Sequence, residues 1–489
     1  MMNLNNANGL IDLNSWQTLL QQLPDLQLFH AQSIHQILDH IAVYHPPPAN
    51  AIISLMCAHE TRFDEVYIFC QEGAKRQLSL EVYLPSCLQA QWINYCRQQQ
   101  TFITPIDDQH LRANPQRWLY VDLLANLSSR EVAAIAQAWI VEINAQDLPV
   151  LALDLPSGLD ASHGAACIDS PLYADVVFGR AAFMQGVFTG MAKAFIGKTV
   201  LLTGLEVPPL NDTSFLCNTA QMRSLMPRKP AYAYKGMYAR VLIIAGEKDM
   251  FGASLLAARA TLMMGSGCVE VFYPSGLMPP FSHLPEIIWH EVNDVDNIVA
   301  AIKADDILVF GPGLGLARWG EQVWHALSDL DNRMVLDASA LHYLATSTKK
   351  RQNCIITPHP GEAALLLNTS NTDIQAHRFA AIKSLFQRFE AGVVLKGSGS
   401  LIYTKEQQLF VCPYGNPAMA TPGMGDALTG LIAGLWARLA DASAAMLVAV
   451  YLHAKAADSL LAKNPGLLAI RASQVLDEIE HHMQDILCN

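Results

Sequence analysis

Pro422-Gly423-Met424-Gly425-Asp426 stands immediately before ALTGLIAGLWARLA, an apolar run with few helix breakers. Glycines at the mouth of a helix leave backbone N–H groups pointing at one spot. The helix dipole adds partial positive charge there, which suits a transferring phosphoryl group. Asp426 follows at once, where a carboxylate can take the proton of an attacking hydroxyl. Alone, the same residues read more readily as a glycine turn with Asp426 as a plain helix N-cap, and the surroundings reverse that. VVLKGSGSLIYT sets Lys396 before Gly397-Ser398-Gly399-Ser400, a loop of small residues able to wrap phosphates and ribose beside a point charge. TPHPGEAALLL holds His359 between two prolines, with Gly361 and Glu362 opening the next segment. In isolation that histidine reads equally as a structural loop residue. FGPGLG (Phe310–Gly315) and IIAGEKDMFGASLLAARA (Ile243–Ala260) are two further glycine-bearing exits from apolar runs.

Elements that could position these groups recur through the second half of the chain. ARVLIIAG, CVEVFY, DILVFGPG, NRMVLDAS, NCIITPH and GVVLKGSG read as buried strands that end in Gly, Asp, His or Lys. In open α/β sheets ligands bind beyond the carboxyl ends of the strands, where these polar residues fall. The first half shows a weaker β/α rhythm. VYIFC (Val66–Cys70), LEVYL (Leu80–Leu84), RWLYVDLL and LPVLALDLP are read as strands, and EVAAIAQAWIVEIN as a helix. Between about Leu205 and Lys235 the pattern breaks among prolines. The expected organisation is therefore a domain over 1–210, a linker over 211–233 and a second domain over 234–489, both α/β. His30, His35, His40 and His45 recur every five residues. Steps of five turn about 140° around a helix, so the four do not share a metal-binding face.

Composition limits what such a chain can be. Its 489 residues are 51% hydrophobic and 16% charged, which suits two well-buried globular domains. A net charge of −12 argues against a general binder of nucleic acid or anionic membrane. The ten cysteines include no C-x-x-C pair, as expected of free thiols in a reducing compartment. With no basic leader and no run of eighteen apolar residues, the expectation is a soluble cytoplasmic protein. No GxGxxG follows the first strand, which counts against an ordinary dinucleotide-binding Rossmann unit.

From about Tyr234 onward, the ordered blocks YKGMYARVLIIAGEKDMFGA, DILVFGPGLG, MVLDASAL, ITPHPGE, VVLKGSGS and GNPAMATPGMGDALTG resemble the NAD(P)H-hydrate dehydratases, a branch of the ribokinase-like superfamily. The resemblance implies a ribokinase-like α/β domain that repairs nicotinamide cofactors hydrated across the C5–C6 bond of the ring. ADP, or ATP, would give a phosphoryl group to the C6 hydroxyl, and loss of phosphate would regenerate NADH or NADPH. Asp426 would then be the base, and Gly423 and Gly425 the anion hole. Lys396, Gly397, Ser398, Gly399 and Ser400 would contact the nucleotide. Ala253, Gly313 and His359, with Asp426, would contact the hydrated cofactor, and Mg²⁺ would neutralise the phosphates. The chain departs from the family pattern at Tyr234-Lys235-Gly236 (usually His-Lys-Gly), at Asp337-Ala338-Ser339-Ala340 (usually Asp-Ala-Asp-Ala) and at Ala418 (often Gly).

LPVLALDLPSGLDASHGA and GVFTGMAKAFIGKTVLLTGL resemble the epimerase domain of the same repair system, a three-layer Rossmann-like unit. The resemblance makes Asp154 the epimerase aspartate and Asp122 and Ser157 part of a potassium site. The Asn-Asn-Gly-Gly-Asp-Gly phosphate loop is missing. Read with VYIFC as the first strand, both the loop and most of its helix are deleted, and the glycines expected after Asp122 are replaced by Ala125-Asn126-Leu127-Ser128. This domain is therefore expected not to hold a dinucleotide phosphate, and its epimerase activity is in doubt. The expected partners are NADH and NADPH hydrates as substrates and further copies of the chain in a homo-oligomer, with no nucleic acid and no membrane. The competing reading is a ribokinase-like kinase of a small hydroxyl compound such as a vitamin precursor, since GMGD alone fits both.

Overall fold

The structure is a computed structural model. It describes residues 9–11, 23, 26–45, 48, 51–57, 62–106, 111, 114, 116–123, 130–180, 182–202, 214–226, 230–244, 247, 249–277 and 284–488. The chain divides into two compact units, Met1–Ser214 and Phe215–Asn489.

In the first unit six strands pair in parallel, in the order Ser79–Tyr83, Ile52–Cys57, Arg117–Leu123, Val150–Leu153, Ala174–Arg180, Ile196–Leu202. Such a sheet is apolar on both faces because helices cover both. Leu119, Val121 and Leu123 join Ile34, Ile37, Phe69 and Trp92 in one core cluster. Tyr120 and Met56 point the other way, into a second cluster with Trp139, Ile140 and Ile143 of the helix Arg130–Asn144. The unit is thus three-layered.

One expected strand is wrong. VYIFC lies inside the helix Phe63–Lys75, whose buried residues Phe63, Val66, Phe69 and Gly73 follow the helical period. Asp64 and Glu65 in its first turn and Lys75 in its last suit the helix dipole. The strand that precedes it is IISLMC, Ile52–Cys57. The helix after the first strand is therefore present rather than deleted. What differs is the connection, Ala58–Arg62, which has no glycine. Ala58–Thr61 lie outside the described residues, as do Ala125–Ser128.

The second unit carries a longer sheet. Strands Ile288–Val292, Cys268–Pro274, Arg240–Ile244, Ile307–Phe310, Arg333–Leu336, Cys354–Ile356 and Gly392–Leu395 run parallel in that order. Two antiparallel strands, Ser400–Tyr403 and Leu409–Cys412, extend it. Phe215 and Leu216 then pair with the last of these, and the helix Thr219–Leu225 packs on the C-terminal helices. Part of the stretch expected as a linker is thus built into this unit. The helices Phe251–Met263 and Met424–Leu439 cross closely because a side chain at Gly434 would meet the Thr261 carbonyl oxygen at 2.5 Å. Apolar on all sides, the helix Met424–Leu439 is buried from Ala427 to Ala437. The helix Ala442–Lys463 has the length and hydropathy to cross a membrane, yet its residues from Ala442 to Ala454 are buried within the unit.

Candidate functional site

Three adjacent strands of the second unit deliver the charged groups. Lys396 follows Gly392–Leu395, Asp337 follows Arg333–Leu336, and Glu362 opens the helix Pro360–Leu367 after Cys354–Ile356. Lys396 Nζ lies 2.7 Å from Asp337 Oδ1 and 3.7 Å from Glu362 Oε2. Thr429 Oγ1 donates to Asp337 Oδ2 at 2.9 Å, tying the group to the helix that begins at Met424. A side chain on Gly425 would lie 3.1 Å from Lys396 Nζ and 3.3 Å from Asp337 Oδ2, so the glycine turn sits directly over this pair. Gly423, at φ +89°, caps that helix in a left-handed conformation that glycine adopts without strain.

The electrostatics follow from this packing. Burial alone would raise the Asp337 carboxyl, but the Lys396 ammonium and the bonds from Lys396 and Thr429 hold it low. Burial would likewise lower Lys396, and Asp337 with Glu362 outweigh it, so the lysine stays charged. Asp426 is the exception. Burial, then the Asp337 charge, push it up to about 6, with Lys396 opposing. A carboxylate poised near neutrality is suited to accept a proton.

The loop after Lys396 is shaped for close approach. Gly397 and Gly399 have φ of +139° and +63°, and Ser400 Oγ donates to the Gly397 carbonyl at 3.1 Å. Beneath it lies Arg378, fully buried, donating to the carbonyls of Leu395, Lys396 and Gly399 at 3.4 Å each. On the far side of the sheet ends, Gly313 takes φ +66°, and a side chain there would stand 3.2 Å from Ala253 Cβ. These two expected cofactor contacts are neighbours. His359 proves to be a helix cap: its Nδ1 accepts from the amides of Gly361 (3.0 Å) and Glu362 (3.3 Å), while Glu362 Oε2 accepts from its own N–H (2.7 Å). The imidazole remains more than half exposed, so capping and contact with a ligand are compatible.

Sequence reading passed over Asp337, Glu362, Thr429 and Arg378 as site residues. Asp337 and Glu362 sat in recognised blocks, and their position at strand ends was the available signal. Thr429 also sat in a recognised block, with nothing to single it out, and Arg378 carried no signal. The pairing also sharpens the expectation for Lys396→Met. Removing one partner of a buried pair costs about 3–5 kcal/mol, so the single variant should melt earlier as well as bind nucleotide more weakly. Adding Asp337→Asn should recover most of the stability and none of the affinity, as followed by thermal melts and calorimetric titration with ADP. Recovery of both would make Lys396 purely structural.

The first unit has a different chemistry. Asp154, at φ +67°, lies just beyond the strand Val150–Leu153. Arg180 grips it with two bonds, Nε to Oδ1 at 3.0 Å and Nη2 to Oδ2. Arg62 Nη2 adds a third, to Oδ2 at 3.3 Å. Both arginines also hold Glu65 Oε1, at 2.7 and 2.8 Å, and His30 Nδ1 lies 3.1 Å from Arg180. Burial would raise Glu65, but the two guanidinium groups bring it down to about 2. Asp122 and Ser157 are brought together: Asp122 accepts from the Ser157 N–H and Oγ–H, each at 2.7 Å. His35 and His40 point elsewhere from the same helix as His30, toward Arg76 and Phe178. No group of three or more His, Cys, Asp or Glu among the described residues could hold a metal.

Both halves of the chain are similar to known proteins. The family profile for NAD(P)H-hydrate dehydratase matches residues 241–481, and that for the YjeF-related protein N-terminus matches 71–184. The bifunctional NAD(P)H-hydrate repair enzyme Nnr of Coxiella burnetii is 36% identical over 342 residues, covering 69% of this chain and 70% of its own. The chain belongs to the bifunctional NAD(P)H-hydrate repair enzyme family. The ADP-dependent (S)-NAD(P)H-hydrate dehydratase of Lactiplantibacillus plantarum is 32% identical over 265 residues, 53% of this chain and 94% of that one. Among solved structures, the ADP/ATP-dependent NAD(P)H-hydrate dehydratase of Bacillus subtilis, co-crystallised with ATP and Mg²⁺, superposes with a TM-score of 0.50 at 26% identity, covering 55% of this chain and 98% of that one. The N-terminal profile match begins within the helix Phe63–Lys75, beyond the glycine-free connection Ala58–Arg62.

Proposed function

We propose that this chain repairs NADH and NADPH hydrates through its second unit, as an ADP-dependent dehydratase of the S form. The observation that carries the reading is Asp426, held near pH 6, at the glycine turn that lies over the Lys396–Asp337 pair. Asp426 takes the proton of the C6 hydroxyl as its oxygen attacks the terminal phosphorus of ADP, and AMP leaves. The C6–O bond then breaks with loss of inorganic phosphate and a C5 proton, restoring the dihydronicotinamide. Amides at Gly423 and Gly425 and the Lys396 charge receive the transferring group, while Gly397–Ser400 embrace the nucleotide and Ala253, Gly313 and His359 face the hydrate. A magnesium ion here would be held mainly by phosphate oxygens and water, with Glu362 the carboxylate at hand, since both oxygens of Asp337 are engaged by Lys396 and Thr429. That ion would offset charge on the transferring group.

The first unit, in this proposal, folds as an epimerase domain without epimerising at a useful rate. Both oxygens of Asp154 are engaged by guanidinium groups, and no glycine follows the first strand to cradle a pyrophosphate. Asp122 and Ser157, hydrogen-bonded to each other, would in this proposal belong to the potassium site that the resemblance to the epimerase domain implies. A cytoplasmic location and a homo-oligomeric state complete the proposal. Purified chain given NADH hydrate and ADP should restore absorbance at the NADH band, more slowly with ATP. Phosphorylation of a vitamin precursor with no action on the hydrate would favour the kinase reading instead.

A further inference from the structure

The side of the second unit assigned above to the hydrate can be followed residue by residue away from the glycine turn. Ala253 and Leu256 stand three apart and share a face of the helix Phe251–Met263. A side chain on Gly423 would meet Leu256 Cδ1 at 2.6 Å, and one on Gly313 would meet Ala253 Cβ at 3.2 Å. This face therefore joins the glycine turn to Gly313 and Gly315, which follow the strand Ile307–Phe310. Glu247 comes next. Its N–H donates to the Gly313 carbonyl at 2.9 Å, and its carboxylate fills the place that a side chain on Gly315 would take. Tyr343 Oη donates to the Gly315 carbonyl at 3.5 Å and steadies the same turn.

Nothing in the fold of this turn calls for a charge. Among the described residues no side chain or amide donates to the Glu247 carboxylate, and Glu247 is only partly buried, open to a ligand. Met250, whose N–H donates to the Glu247 carbonyl, and Leu316, next to Gly315, are exposed apolar residues. A lone acceptor among apolar groups suits the neutral, hydrogen-bonding parts of a ligand and repels phosphate. The two ends of the site thus differ in sign. Lys396 and the glycine amides attract an anion at one end, and Glu247 opposes one at the other.

That difference answers a problem set by the ligands themselves. NADH hydrate contains an adenosine diphosphate moiety, so ADP resembles part of the other substrate, and shape alone sorts the two poorly. We infer that Glu247 is a specificity-determining residue of the hydrate side. Its carboxylate accepts a hydrogen bond from a neutral donor of the hydrate, the carboxamide N–H or a ribose hydroxyl, and its charge keeps the phosphates of ADP from settling there. The diphosphate of the hydrate itself then lies away from Glu247. The inference rests on the dehydratase reading above and names a residue that sorts its two ligands.

The test uses the full chain and steady-state rates with NADH hydrate and ADP, for wild type, Glu247→Gln and Glu247→Ala, with thermal melts to show that each is folded. Loss of a charged acceptor should raise KM for the hydrate about 10-fold in Glu247→Ala, with kcat and KM for ADP within about twofold of wild type. Excess ADP should inhibit both variants competitively against the hydrate, at concentrations that leave wild type unaffected. Glu247→Gln keeps an acceptor without the charge, so its KM should rise less while the inhibition by ADP still appears. The hydrate of reduced nicotinamide mononucleotide locates the donor. An equal rise in its KM places the donor on the nicotinamide half, and a rise confined to NADH hydrate places it on the ribose of the adenosine half. In a folded Glu247→Ala, either a hydrate KM within twofold of wild type or an absence of inhibition by ADP would overturn the assignment. A wild-type chain inert toward hydrate and ADP would overturn the dehydratase reading, and this assignment with it.

Discussion

Asp426→Asn should lower dehydratase turnover by about 10²–10⁴-fold, the usual worth of a positioned base, while ADP affinity stays within about twofold of wild type. The amide keeps the volume of the side chain and cannot accept the hydroxyl proton. In the wild-type chain the carboxyl lies near pH 6, so kcat/KM should fall on the acid side of about 6 and level off above it. The same group makes a stability prediction of opposite sign to that of a salt-bridged carboxylate. Its folded value is raised above the ordinary 3.8, so the fold favours the protonated form. That contribution is fully present below about 3.8 and is lost as pH rises through about 6. Asp426→Asn, which has no proton to lose, should therefore melt above wild type at pH 8 and lose that advantage at pH 4. Turnover within threefold of wild type would remove Asp426 from the role of base, and melts that differ equally at both pH values would remove burial of its charge as the cause.

The second large effect belongs to the buried ion cluster of the first unit. Arg180→Met should destabilise that unit by about 3–5 kcal/mol, since it strands Asp154 and Glu65 away from water. Arg180→Met combined with Asp154→Leu should recover part of the loss. The same cluster predicts a functional result. Given pure R-hydrate, the wild-type chain should form S-hydrate no faster than the spontaneous reaction, and Asp154→Ala should leave that rate unchanged. Holding a substrate still is worth about 7–11 kcal/mol of barrier, and a domain without the glycine cradle has no backbone amides at that place to supply it. An aspartate engaged by two guanidinium groups is also badly placed to take a proton. Chromatography of the two hydrates settles the matter. Conversion well above background and lost on Asp154→Ala would show that Arg62 and Arg180 release the aspartate when cofactor binds.

Most of the second unit was legible along the chain, because its strands are short, apolar and followed at once by the residues that matter. Periodicity located the strands, and the polar residues after them at Lys396 and His359, with the glycine turn at Asp426, located the site. Local order also carried the family, since six blocks in one sequence order constrain a fold more than any one of them. Side-chain pairing across the sheet was decided only in three dimensions. Asp337 and Lys396 are far apart in sequence and meet because their strands flank the strand Cys354–Ile356. In the first unit a local ambiguity misled. VYIFC is β-branched and aromatic enough to read as a strand, yet FDEVYIFCQEGAK buries a helical stripe against the sheet formed by IISLMC. Tertiary packing overrode propensity there. It also placed Arg180, at the end of its own strand, against the end of the strand that carries Asp154, a juxtaposition set by strand order and invisible to spacing along the chain.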